Sequence, residues 1–149
     1  MATDARHVTE ATHPIMDDRI RHALDQGQLI DLTTTGRTSG LPRRIEIMIH
    51  NLGGHLYISG MPRREKRAWI ANLEADPAVT IHLKGAVQAD LPATARVITD
   101  DAERRAVMPG IAAAWRRTDI EEMVAWSPLI EITIPGYGDA DGDPGPGSA

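Results

Sequence analysis

The residues best equipped for chemistry stand in one short run, TTTGRTSGLPRR, from Thr33 to Arg44. Gly36 and Gly40 let backbone amides come close to a ligand. Ser39 offers a hydroxyl, and Arg37, Arg43 and Arg44 offer forked guanidinium donors that match the oxygens of a phosphate or carboxylate. A plain hairpin loop with solvated arginines looks much the same. Two features weigh toward a ligand: Arg44 falls on the polar face of the strand that follows, and a second basic run, MPRREKR, occupies Met61 to Arg67. The chain of 149 residues carries a formal net charge of −5, yet residues 36–67 hold seven basic side chains against Glu46 and Glu65, so this stretch is +5 and the remainder −10. The acidic total speaks against a polyanionic partner, and the cationic character is confined to one island.

Other chemistries lack their usual carriers. Cysteine is absent, which excludes disulfides and thiolate metal sites. The six histidines show no zinc-ligand spacing, and the tail DADGDPGP has Pro144 where a calcium loop needs its glycine, so no metal is expected. There is no nucleophile elbow and no dinucleotide fingerprint. Three Trp, two Tyr and no Phe leave too few rings for the stacking platforms of single-strand binders, so no nucleic acid is expected. Trp69 and Asn72, three apart on a short helical stretch, are near one another and can face a flat ligand, although a tryptophan there is more often core.

These residues need elements to hold them. Met16 to Gly27 reads as a helix, with Ile20, Ala23 and Leu24 on one face, acidic residues at its start and a glycine stop. LIDLTTT reads as a strand. RIEIMIH then sets Ile45, Ile47 and Ile49 against Arg44, Glu46, Met48 and His50, the period of two of a half-buried strand. Asn51 to Gly54 turns the chain into HLYISG. Glu65 to Ala75 reads as a helix whose inward set is Ala68, Leu73 and either Trp69 or Ile70. AVTIHLKG is a further strand, VQADLPATARVIT another that Pro92 marks as an edge or a bend, helices follow near Asp100 and from Asp119 to Ala125, and PLIEITI closes the ordered part. The fold class expected is α+β, mainly β: about six antiparallel strands with short helices in one domain, residues 15–135, between a loose leader (1–14) and a tail from Gly136 that its composition marks as disordered. Because the first basic cluster precedes the second strand and the second cluster follows the third, the hairpin is expected to bring both to one rim. No stretch has the length of a membrane span or the pattern of a targeting segment, and a cytoplasmic location is the default.

TTTGRTSGLPRRIEI, LYISG and WIANLEADPAVTIHLKG, in this order and at these separations, resemble the deazaflavin-dependent nitroreductase family, also described as F-420-dependent oxidoreductases of split β-barrel fold; the resemblance spans about residues 29–133. It implies a split barrel related to the flavin-mononucleotide-binding barrels. It also implies a coenzyme, F-420, whose deazaflavin ring carries hydride on carbon and whose phosphate bears a polyglutamate tail. By this resemblance Arg37, Thr38, Ser39, Arg43 and Arg44 hold the phosphate end. Ile45, Glu46, Ile47 and Met48, with Ser59, Gly60 and Met61, border the ring through backbone groups, and Ala68, Trp69 and Asn72 complete the pocket. The chain departs from the family in having Thr38 and Leu41 where lysines often stand, and in lacking the usual glycine pair after Gly60.

The expected activity is hydride transfer from reduced F-420 to a small electrophilic acceptor: a quinone, a nitroaromatic or an activated alkene. No catalytic side chain is obligatory; Tyr57, His50 or solvent can deliver the proton. Two alternatives stand beside it, a flavin-mononucleotide-dependent oxidoreductase of the same fold and a noncatalytic carrier of a coenzyme or haem. The oligomeric state stays open, a homodimer included.

Overall fold

The computed structural model describes residues 16–138. The leader, residues 1–14, and the tail beyond Gly138 lie outside them. Helix α1 (Asp18–Gln26) begins where the Asp17 side chain accepts a hydrogen bond from the Arg19 amide at 2.7 Å. It buries Ala23 and Leu24, and it ends at Gly27, which sits at φ 70°. A side chain at that position would place its Cβ 2.9 Å from the Ile49 carbonyl oxygen, so the turn into the first strand needs glycine on both counts.

Six strands follow: β1 (Gln28–Thr35), β2 (Pro42–Leu52), β3 (His55–Ser59), β4 (Ala78–Lys84), β5 (Gln88–Val97) and β6 (Leu129–Thr133). They close into a barrel in the order β1-β2-β3-β6-β5-β4, with every neighbouring pair antiparallel. The inward residues of the alternating strands fill it: Ile30, Leu32, Ile49, Ile58, Ile81 and Ile130 are all fully buried. Between β3 and β4 runs α2 (Ala68–Ala75), and between β5 and β6 run α3 (Asp101–Ala114) and α4 (Ile120–Trp126). The last two pack Met108, Ile111, Met123 and Val124 against Tyr57 and Leu129, a second core on the outside of β3 and β6. Arg104 staples this layer: its guanidinium donates to the carbonyls of Ile98 (2.9 Å), Val124 (2.7 Å) and Met123 (3.3 Å), and to that of Ser127.

The split is visible in the registers. β1 pairs with β2 along Pro42 to Ile49, but β3 pairs with β2 only from Ile49 to Leu52. Residues 42–48 therefore have a ladder on one side alone. This explains why Ile49 is fully buried while Ile45 and Ile47, on the same face, are half-buried. Likewise β5 pairs with β6 only over Thr94–Val97, so Pro92 occupies a stretch bonded to β4 alone, the edge its missing N–H tolerates. α2 starts at Ala68 rather than Glu65, and it is Ile70 that turns inward. Tyr137, in the segment assigned by composition to the tail, is 7% exposed; its hydroxyl donates to Asp25 (2.5 Å) and accepts from Asn51 (2.7 Å). No helix among the described residues is long and apolar enough to cross a membrane.

Candidate functional site

The loop joining β1 to β2 is built by its own backbone. The Gly36 amide donates to the Leu41 carbonyl (2.8 Å), the Gly40 amide to the Gly36 carbonyl (2.8 Å), and the Leu41 amide to Ser39 Oγ (3.1 Å). Gly40 turns the chain at φ 73°. A Cβ on Gly36 would meet Ser39 Oγ at 2.6 Å and the Leu41 carbonyl at 3.3 Å, so the first glycine is fixed by close approach. Asn72 of α2 clamps the loop: its Oδ1 accepts from the Arg37 amide at 3.0 Å and its Nδ2 donates to Thr34 Oγ1 at 3.2 Å, with the side chain only 7% exposed.

Between this loop, the start of β2 and the face of α2 that carries Ala68, Trp69 and Asn72 lies a cleft of about 750 Å³, within the usual range for small-molecule sites. Its lining includes Arg37, Thr38, Ser39, Arg43, Arg44 and Ile45 from the loop and strand, and Ala68, Trp69 and Asn72 from the helix. Gly36 and Pro42 line it too. Gly36 was singled out in the sequence for close approach; Pro42 escaped that reading because its part is steric, with no functional group to announce it.

The three arginines are not equivalent. Arg44 donates to Asp31 at 2.9 Å, Lys84 reaches the same carboxylate at 2.7 Å, and Lys84 also pairs with Glu46. Lys84 first, then Arg44, hold the Asp31 carboxyl below the usual carboxylate range. Those four charges balance. Arg37 and Arg43 are exposed and, among the described residues, meet no carboxylate, so they are the cations left to an anionic ligand.

Six of the residues expected to border a ring do not line this cleft. Glu46 is engaged with Lys84, Ile47 faces the core half-buried, and Met48 lies on the outer face at 38% exposure. Ser59 is buried and donates to the Pro128 carbonyl at 2.5 Å. Gly60 packs under Pro128 and Arg67, and Met61 is exposed, its carbonyl accepting from Arg67 at 2.7 Å. Nor do the two basic runs meet at one mouth, as the hairpin argument expects. β2 continues beyond its last β3 partner, so Arg43 stands about 20 Å further along the strand than Ile49, the last residue paired with β3, at 3.4 Å per residue. Arg63, Arg64, Lys66 and Arg67 line a different cleft, with Ile70 and Glu74 of α2. Ala68, Trp69 and Asn72 project about half a turn away from those two, so α2 stands between the clefts.

The candidate proton donors also lie elsewhere. His50 is 8% exposed, packs edge-on against Trp115 with ring centres 5.3 Å apart, and its Nε2 has no hydrogen-bond partner. Burial lowers its pKa. Tyr57 is held above the usual phenol value by burial, then by Glu131 and Glu103.

The fold recurs in solved structures at low identity. A conserved hypothetical protein from Mycobacterium tuberculosis superposes with TM-score 0.64 at 16% identity, covering 93% of this chain and 98% of that one. An F420-H2 dependent reductase gives 0.51 at 22%, covering 70% and 92%. The heme storage protein HutZ from Vibrio cholerae gives 0.58 at 14%, covering 81% and 91%. No curated protein sequence matches. The model of the F420H(2)-dependent quinone reductase family matches residues 5–123. The chain therefore belongs to the F420H(2)-dependent quinone reductase family and is, as a member, an F420-dependent oxidoreductase.

Proposed function

We propose that the chain takes hydride from reduced coenzyme F-420 bound in the 750 Å³ cleft and delivers it to a small electrophilic acceptor, a quinone first, with nitroaromatics and activated alkenes as the wider class. The observation that carries this reading is the meeting of two carboxylate-free guanidiniums, Arg37 and Arg43, with the indole of Trp69 in one cleft. Arginine forks suit phosphate oxygens, an indole face suits a flat ring, and the backbone of Arg37 is fixed by the Gly36 to Leu41 loop and by Asn72. The unladdered edge of β2, residues 42–48, presents backbone N–H and C=O groups beside it that a heteroaromatic ring can use. When bound, the reduced coenzyme supplies the hydride. The protein's part is to bind, orient and keep water from the reacting face. Neither His50 nor Tyr57 lines the cleft, so the proton comes from solvent at its mouth. The enzyme works in the cytoplasm on a small-molecule acceptor.

A flavin-mononucleotide enzyme is the second reading. Two uncompensated arginines are enough for a single phosphate, and Thr38 and Leu41 add no charge for a polyglutamate tail. Titrating the protein with F-420 and with flavin mononucleotide, each followed by its own fluorescence, separates the two. Oxidation of reduced F-420 in the presence of menadione or a nitroimidazole then tests turnover. Tight F-420 binding with no turnover on any acceptor would make the protein a carrier, and flavin binding without F-420 binding would favour the second reading.

A further inference from the structure

The cleft on the other side of α2 has no place in the coenzyme reading. It measures about 340 Å³ and combines an apolar floor, including Ile70 and the half-buried Val97, with a cationic wall. The charges on that wall are poorly matched. Lys66 is satisfied by Glu74 at 2.7 Å, but Arg63 has only Glu65, at 3.9 Å. Arg67 gives one donor to the Met61 carbonyl and, among the described residues, meets no carboxylate. Its guanidinium is pushed below its usual value by burial, then by the like charge of Arg63. Arg64 lies over the ring of Trp126, 4.7 Å from its centre, and that indole is 39% exposed. Like charges held together at a part-buried place are stabilised by an anion between them.

A second, independent observation concerns Ser127. This residue lines the same cleft and is 2% exposed, and its Oγ has no hydrogen-bond partner. A buried unpaired hydroxyl costs free energy unless something else makes use of it.

We propose that this cleft is a second ligand site, separate from the coenzyme cleft, and that it takes an aromatic carboxylate. Arg63 and Arg67 hold the carboxylate while the ring lies on the apolar floor beside Trp126. The floor selects against a bare phosphate, which would lose its hydration against Ile70 and Val97 without compensation.

Calorimetric titration of the full chain with 2-naphthoate, 2-naphthamide and inorganic phosphate tests this. Naphthoate is expected to bind one per chain, at least tenfold more tightly than either naphthamide or phosphate. Arg63→Gln and Trp126→Ala should each weaken it at least tenfold, whereas Arg43→Ala, on the other side of α2, leaves it unchanged. Arg63 is exposed, so its substitution leaves the fold intact. Absence of naphthoate binding, equal affinity for the acid and the amide or for phosphate, indifference to both substitutions, or loss on Arg43→Ala would each overturn the proposal. None of these readouts involves F-420, so failure here leaves the coenzyme assignment standing.

Discussion

Replacing Arg43 with alanine removes a guanidinium that the folded protein does not use for itself. Arg43 is exposed and lines the 750 Å³ cleft, and among the described residues no carboxylate approaches it. Its loss should therefore leave the unfolding midpoint almost unmoved, as surface substitutions away from caps and networks do. Coenzyme affinity is another matter. A hydrogen bond to a charged group contributes about 1.5–3 kcal/mol, which corresponds to Kd rising roughly 13- to 160-fold at 1.36 kcal/mol per decade. Arg44→Ala is the internal comparison. Its guanidinium already donates to Asp31 at 2.9 Å, so less of it is available to a ligand and the affinity loss should be smaller. Fluorescence titration with F-420 at two salt concentrations reads both effects, and the Arg43 variant should also show the shallower salt dependence. Unchanged affinity in Arg43→Ala, or a larger loss in Arg44→Ala than in Arg43→Ala, would refute the assignment of the free cation.

Three further outcomes follow from the same geometry. Gly36→Ala sets a Cβ 2.6 Å from Ser39 Oγ and 3.3 Å from the Leu41 carbonyl; Ser39 must turn away and give up its bond to the Leu41 amide, costing about 1 kcal/mol of stability and weakening the coenzyme, as urea unfolding and fluorescence titration will show. Asn72→Ala leaves the Arg37 amide and the Thr34 hydroxyl without partners and should cost about 2–3 kcal/mol, with Asn72→Asp, which can still accept from the Arg37 amide, recovering part of it; equal stability of all three chains would deny the clamp. His50 has a folded pKa below its ordinary 6.5, so the unfolded chain takes up the proton first and stability is lost as pH falls from about 6.5 toward the folded value. Urea midpoints measured between pH 7.5 and 5 should therefore decline more steeply for the native chain than for His50→Leu, and parallel slopes would count against it.

The barrel was legible because its strands alternate so plainly. Ile45, Ile47 and Ile49 share a face in the sequence and share it in the fold, and Pro92 marked a strand with an unpaired stretch. The loop at Gly36 to Arg44 was legible for a similar reason, since glycine and arginine state their roles in their chemistry. What could not be read is how far one strand outruns its neighbour. β2 extends well past its β3 partners, a property of pairing lengths that no single strand carries, and it moves the second basic run to another cleft. Asn72 was placed near the site from its spacing with Trp69, yet its work is to hold Arg37 and Thr34, and only the folded distances show that. Tyr137 was missed because its neighbours are glycines and its partners, Asp25 and Asn51, are more than eighty residues away.

The same overhang of β2 accounts for the position of the site. A barrel strand that lacks a partner on one side exposes backbone donors and acceptors, which a protein must cover, charge or put to use. Here the open stretch begins with Pro42, Arg43 and Arg44, two charges and a residue without an N–H, a composition that discourages another chain from pairing there. Beside that edge, α2 raises Trp69 from one direction and the Gly36 to Leu41 loop raises Arg37 from the other. A ligand with a flat polar ring and an anionic handle can therefore cover the edge that the barrel leaves open. A longer β3 that zipped along β2 would cover Pro42 to Ile45, the part of the open edge that lines the cleft, so the incomplete ladder and the proposed coenzyme cleft go together in the fold.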